Sequence, residues 1–120
     1  MYTYNRGTPP TGGGLPSGTS YLRCGNDAWG LRHIDLRHSS DWGTIASRVG
    51  GDWESFADWA VGVILSAPES ASYNSGNDTY GYTAPIEIRD PSGEVVGNYR
   101  PLVSVAAGSG NIITAFPRSA

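Results

Sequence analysis

The sequence predicts an α+β domain in which amino-terminal helices pack on a twisted antiparallel sheet of about four strands. Three observations carry that prediction. Apolar residues between Trp29 and Pro68 recur at helical intervals, and all four tryptophans fall there. From Thr83 onward the pattern changes to two-residue alternation interrupted by turns rich in Gly and Pro. A chain of 120 residues is the length of one small domain, so both halves must share a core. The helices then cover one face of the sheet and leave the other as a platform for substrate.

The elements follow in order. Residues 1 to 20 are dominated by Gly, Pro, Ser and Thr, and the run from Gly7 to Gly18 has no period and little to bury. This predicts a flexible linker or surface tail ahead of a single domain over 21–120, and little loss of stability on removing residues 1–18. Gly12-Gly13-Gly14 lacks the Gly-Lys-Ser/Thr ending of a phosphate loop. Asn26 or Asp27 is a candidate cap for a short helix beginning near Ala28. Ser40 is a candidate cap for a second helix over 41–49. There Trp42, Ile45 and Val49 would face the core, and Gly50-Gly51 ends it. The third helix is the best marked: Asp52 caps it, Glu54 lies in its first turn, and Pro68 stops it. Trp53, Phe56, Ala60, Val63 and Ile64 form its apolar stripe, which Trp59 widens. Each Trp is read as a core residue.

Residues 69–82 read as a loop with an edge strand. Thr83 to Arg89 reads as a strand with Ile86 and Ile88 on one face and Glu87 and Arg89 on the other. Asp90-Pro91-Ser92-Gly93 is a turn. Strands over Val95–Tyr99, Leu102–Ala106 and Asn111–Phe116 complete the sheet, the last two joined through Ala107–Gly110. Alternation in the final strand places Ile112 and Thr114 on one face, Ile113 and Ala115 on the other.

Composition narrows the function. Eight basic residues, all Arg, stand against eleven acidic ones, for a net charge of -3. That balance excludes a long non-specific grip on nucleic acid but allows a small site where a few arginines meet one or two phosphates. Cys24 is the only cysteine, so there is no internal disulfide and no cysteine-based metal knuckle. No apolar run is long enough to span a membrane. The first residues lack the basic start and apolar stretch of a signal peptide.

The chemistry concentrates in Trp29 to His38, which holds both histidines and two arginines. Imidazole can move a proton in either direction near neutral pH, and guanidinium presents a fork of donors to phosphate. His33 and His38 are five residues apart, about 140° on a helix. Both enter one site only if the segment bends. The sheet half offers Tyr82, Tyr99, Arg100 before Pro101, and Thr114, a hydroxyl within an apolar run. If these groups converge, they suit metal-free RNA cleavage. That reaction needs a base for the 2'-proton, an acid for the leaving 5'-oxygen, and donors for the phosphoryl oxygens. The candidate catalytic residues are His33, His38, Arg37, Arg100 and Thr114, with Arg32, Tyr82 and Tyr99 binding substrate. No cofactor is expected. A metal set drawn from His33, Asp35, His38 and Cys24 or Asp41 matches no standard zinc spacing.

Gly30-Leu31-Arg32-His33-Ile34, the further His38, and the closing Ile112-Ile113-Thr114-Ala115-Phe116-Pro117 resemble small ribonuclease toxin domains. These lie at the carboxyl ends of bacterial polymorphic and contact-dependent inhibition effectors, a group that includes barnase, EndoU nucleases, colicin RNases and RelE. The resemblance covers about residues 24–117. It implies helices before a twisted sheet, His33 as the principal catalytic histidine and Thr114 as a phosphate-binding hydroxyl. It also implies an RNA substrate such as tRNA and a cognate immunity protein. Such a domain is delivered as the terminal part of a larger exported effector and acts in the target-cell cytoplasm. The chain departs from the group in having no Lys. The competing reading is a non-enzymatic interaction domain, with a Trp-rich core and Tyr73, Tyr80, Tyr82 and Tyr99 as its binding surface.

Overall fold

A computed structural model describes residues 1–120. Two helices pack against an antiparallel β region that includes one four-stranded sheet. Strand β1 (Tyr2–Arg6) pairs with β2 (Gly18–Leu22). Helices α1 (Gly30–Ala46) and α2 (Trp53–Ser66) follow. The sheet has the order β3 (Ser70–Asn74), β4 (Thr79–Thr83), β7 (Leu102–Ala106) and β8 (Ile112–Phe116). Between β4 and β7 the chain makes a separate hairpin of β5 (Ile86–Arg89) and β6 (Val95–Tyr99).

Helix α2 has the boundaries its sequence announces. Asp52 accepts a hydrogen bond from Ser55 N–H at 2.7 Å, an arrangement worth about 1 kcal/mol. Phe56, Ala57, Ala60, Val61, Ile64 and Leu65 are buried along one side. Trp59 and Val63, expected in that stripe, are instead exposed. Ala57, Val61 and Leu65 take the inward positions, turning the stripe away from Trp59.

The two short helices expected over 28–38 and 41–49 are one continuous helix. Leu31, Ile34, His38, Trp42 and Ile45 fall within about 80° of one another at 100° per residue, and this single stripe runs unbroken through Ser39-Ser40. The weak helix propensity of two serines does not outweigh that packing. Trp42 is wholly buried and its indole N–H donates to Ala115 O at 3.0 Å, fixing α1 against β8. No side chain caps the start of α1. Its first amides are satisfied by the main chain leaving β2, Leu31 N–H on Arg23 O and Arg32 N–H on Cys24 O.

Residues 1–20 are not a loose tail. Tyr4 alternates inward from β1 and is part of the core, and its hydroxyl donates to Asp58 of α2 at 2.7 Å. Tyr2 donates to Glu54 of the same helix. Gly7 N–H bonds Leu65 O, and Leu15 N–H bonds the hydroxyl of the buried Tyr82. The Gly/Pro-rich stretch is a strap held at both ends by paired strands. Its low apolar content concealed the anchoring, which comes from tyrosine hydroxyls and backbone amides.

Two sheet details also depart from expectation. Thr83–Arg89 is not one strand, because Ala84-Pro85 turns the chain between β4 and β5; Pro cannot donate to a ladder. Ile86 and Ile88 are buried and Glu87 pairs with Arg89 on the outside, as alternation requires. In β8 the pairing slips: Ser104 faces Thr114 but Val105 faces Ile112. Ile113 is therefore an extra residue, a bulge. Ile112 and Ala115 are both buried in the core, so Ile112 does not share a face with Thr114.

Candidate functional site

Both histidines come together, and without a bend. The rings of His33 and His38 lie 5.6 Å apart, edge to face. The 140° separation constrains Cβ directions only; the rotamers of two imidazoles carry the rings across. With Arg37, four residues and about 40° on from His33, they line an open depression of about 670 Å³ that Asp27 and Ala28 complete.

Each ring is held through Nδ1. His33 Nδ1 lies 2.9 Å from Asp27 O. A carbonyl only accepts, so Nδ1 carries the proton and the neutral ring keeps a lone pair on Nε2. His38 Nδ1 lies 3.2 Å from the Asp41 carboxylate, and its ring stacks on Phe116 of β8 at 5.0 Å. The loop that supplies Asp27 O is tight. Gly25 has φ +62, and a Cβ there would come 2.0 Å from Trp29 O. Asn26 N–H bonds Trp29 O across it. Two imidazoles with anchored Nδ1 atoms and uncommitted Nε2 atoms are equipped to take a proton at one point of a substrate and deliver one at another.

The remaining candidates are scattered. Arg37 is exposed and has no carboxylate within salt-bridge reach. Arg32 lies over a different shallow depression with Asp27, Asp35 and Leu36. Arg100 pairs with Glu69, which leads into β3 at the sheet edge opposite β8, so its guanidinium is turned away from the histidines. Tyr82 is fully buried with its hydroxyl engaged by Leu15, and is a core residue rather than a substrate contact. Tyr99 accepts from Arg48 at 2.8 Å and lines a third depression with Asp41, Thr44 and Arg118. Thr114 lines none of these three; it belongs to a fourth, on the sheet.

Sequence reasoning missed three parts of this arrangement. Asp41 was legible as a partner of His38 from its i, i+3 spacing on a helix. Phe116 sits in the terminal motif, but its stacking role has no local signal. The Asp27 contact is made by a backbone carbonyl, which no residue type announces. No cluster of three or more His, Cys, Asp or Glu side chains is placed to hold a metal ion.

Two relatives from strains of Mycobacterium tuberculosis, the uncharacterised proteins MT0764 and Rv0739, are each 41% identical to this chain over 108 residues. The match takes in 88% of this chain and 39% of each relative. The chain thus spans about two-fifths of the length of the curated relatives it matches. No protein-family model matches the chain, and no solved structure matches it.

Proposed function

We propose that this domain is a metal-independent endoribonuclease of the toxin class its sequence resembles. The observation that carries the reading is the convergence of the chain's two histidines beside an unpaired arginine. In the reaction, His33 Nε2 takes the ribose 2'-proton and the 2'-oxygen attacks phosphorus. The P–O5' bond breaks, and protonated His38 gives its Nε2 proton to the leaving 5'-oxygen. Arg37 meets the charge building on the phosphoryl oxygens. The products are a 2',3'-cyclic phosphate and a 5'-hydroxyl. The greater length of both relatives suits a domain carried on a larger effector into a target cell and restrained by an immunity protein. No helix is long and apolar enough to cross a membrane.

Total RNA incubated with the purified chain in excess EDTA is the test. Cyclic phosphate and 5'-hydroxyl ends are expected. Replacing either histidine by Ala should lower the rate by about 10² to 10⁴ while the melting curve stays cooperative. Uncut RNA, or cleavage that chelation abolishes, overturns the reading.

A second reading, a non-enzymatic protein-interaction domain, has its own observation, one that requires no assembly of reacting groups and is in that respect the more direct. Trp59 is 48% exposed and its ring lies 5.7 Å from that of Phe56. With Val49 and Ile88 the two line a groove flanked by Glu87 and Arg89. An exposed Trp over an apolar groove rimmed by charge is the composition of a protein contact. The surface differs from the tyrosine set expected from sequence, since Tyr82 is in the core. Under this reading the RNA assay is blank in the parent protein, and Trp59→Asp abolishes a complex seen by size-exclusion chromatography.

A further inference from the structure

Strand β5 is hydrogen-bonded on one side only. Its single partner is β6, and no bridge reaches its other edge. In an antiparallel pair, successive residues turn their main-chain groups alternately toward the partner and away from it. Asp90 N–H bonds Glu94 O at the hairpin end, which sets the phase. Ile86 and Ile88 bond across to β6, while Glu87 and Arg89 present their N–H and C=O groups outward. The one irregularity of the pair, the extra residue Val96, lies on β6 and leaves that phase intact. No turn, loop or cap in the chain takes up the outward groups.

Apolar surface lies beside this free edge. The groove of Val49, Phe56, Trp59 and Ile88 is bordered by Glu87 and Arg89, and Trp59 is the large residue exposed there. An unpaired edge next to an exposed aromatic is a template for strand addition. The edge also specifies which strand fits. Pro85 and Pro91 have no N–H to give and bound the usable length, so pairing is confined to Glu87 and Arg89. These two carry opposite charges and bond each other within the strand, so the edge as a whole is neutral. It suits neither a strongly basic nor a strongly acidic partner.

We propose that the occupant is a second copy of this chain, its β5 antiparallel to the first about a two-fold axis through Ile88. In that register Glu87 faces Arg89 of the second copy, and Arg89 faces its Glu87. Each such pair is of the kind that exchanges both main-chain hydrogen bonds. Each also sets opposite charges directly across the seam, a favourable cross-strand arrangement. Moving the axis to Glu87 or to Arg89 opposes like charges and sets a proline against the remaining charged residue. The two Ile88 residues meet as the close, non-hydrogen-bonded pair, and the two Trp59 rings approach the same seam from the helix side. A two-fold contact requires a self-complementary surface, and the alternating charges of this edge supply one without any foreign sequence. The proposal uses the groove of the protein-interaction reading and is independent of the ribonuclease reading.

Sedimentation of the purified chain over concentrations up to about 1 mM is the test. A reversible monomer–dimer equilibrium is expected, with the Glu87 and Arg89 amides exchanging more slowly with solvent as the dimer fills. Glu87→Arg alone and Arg89→Glu alone should each weaken dimerisation about tenfold, since each opposes like charges at both ends of the seam. Both side chains are exposed, so the variants keep the fold. An equimolar mixture of the two variants should restore association as a mixed dimer, and so should the double variant Glu87→Arg, Arg89→Glu. Trp59→Ala should weaken the dimer as well. The proposal is overturned if the parent stays monomeric at every concentration, if the single variants dimerise like the parent, or if mixing them restores nothing. A monomeric parent that binds another protein through Trp59 would overturn the second copy and leave the interaction reading. A dimer that follows the charge pattern in a chain that leaves RNA uncut would uphold the proposal and remove the nuclease.

Discussion

Tyr4→Ala is the sharpest test of how the amino-terminal ribbon takes part in the fold. The ring is 7% exposed and packs in the core between β1 and α2. Truncating a buried aromatic to Ala costs about 3–5 kcal/mol. Part of that is the hydroxyl, which donates to the Asp58 carboxylate at 2.7 Å; hydrogen bonds to charged groups are worth about 1.5–3 kcal/mol, and half-burial of Asp58 puts this one at the lower end. Tyr4→Phe should therefore cost about 1–2 kcal/mol and Tyr4→Ala at least twice as much. Small domains hold only about 5–15 kcal/mol in all, so the Ala variant would lose a large share of its stability, and deletion of residues 1–17 would lose more. Urea melts followed by circular dichroism give both values. A cycle with Asp58→Ala isolates the pair. If Tyr4→Ala costs under about 1 kcal/mol, or the deletion melts like the parent, the ribbon is an ornament and its placement in the core is wrong.

Two further outcomes depend on named contacts. Gly25→Ala should be far more damaging than Gly50→Ala in the same melts. Both glycines have positive φ, at a backbone cost of about 1–2 kcal/mol for Ala. Only at Gly25 would the new Cβ strike a main-chain oxygen, that of Trp29, whereas nothing lies within 4 Å at Gly50. At high pH the domain should lose stability. The Tyr2 phenol is pushed up to about 12, chiefly by its hydrogen bond to Glu54, and Tyr4 is raised further, chiefly by burial. Because the folded values lie above the unfolded one, near 10, this stabilisation is complete below about pH 10 and is lost as pH climbs through the folded values. Melting temperatures across that range should fall less steeply in a Tyr2→Phe, Tyr4→Phe double variant; parallel curves would refute the assignment.

What the sequence disclosed follows from where the stabilising contacts lie along the chain. Helix α2 carries its own punctuation, a capping Asp52 and a stopping Pro68, within a few residues of its ends. The Asp90–Gly93 turn is equally local, with Gly93 N–H on Asp90 O. Helix α1 was misdivided because Ser39-Ser40 looks like a boundary when only near neighbours are weighed. The contact that keeps the helix whole, Trp42 on Ala115, spans 73 residues. The ribbon failed for the same reason, since Tyr2 and Tyr4 find Glu54 and Asp58 more than fifty residues away. The bulge at Ile113 leaves no trace in an apolar run where every residue could face inward.

The histidines show how one helix can serve two purposes. His38 belongs to the inward stripe of α1, and its orientation is set by β8 through Phe116. His33 lies about 140° around the helix, outside that stripe, and its orientation is set by the Gly25–Trp29 loop through Asp27 O. One ring is thus referenced to the sheet and the other to the loop, with the rigid turns of α1 between them. β8 is an edge strand, the kind of element that shifts or recruits a foreign strand when left bare. Here Trp42 bonds it from α1, and Tyr21 bridges to Asn111 at its start. β2 runs directly into the Gly25–Trp29 loop, so loosening the β1–β2 ribbon reaches His33 through Asp27 O, while Phe116 stays paired with Leu102 of β7 and Ala115 O with Trp42. Stability of the ribbon and placement of His33 are on this account coupled, so Tyr4→Ala should shift the His33 ring resonances in an NMR spectrum more than those of His38; equal shifts would refute the coupling.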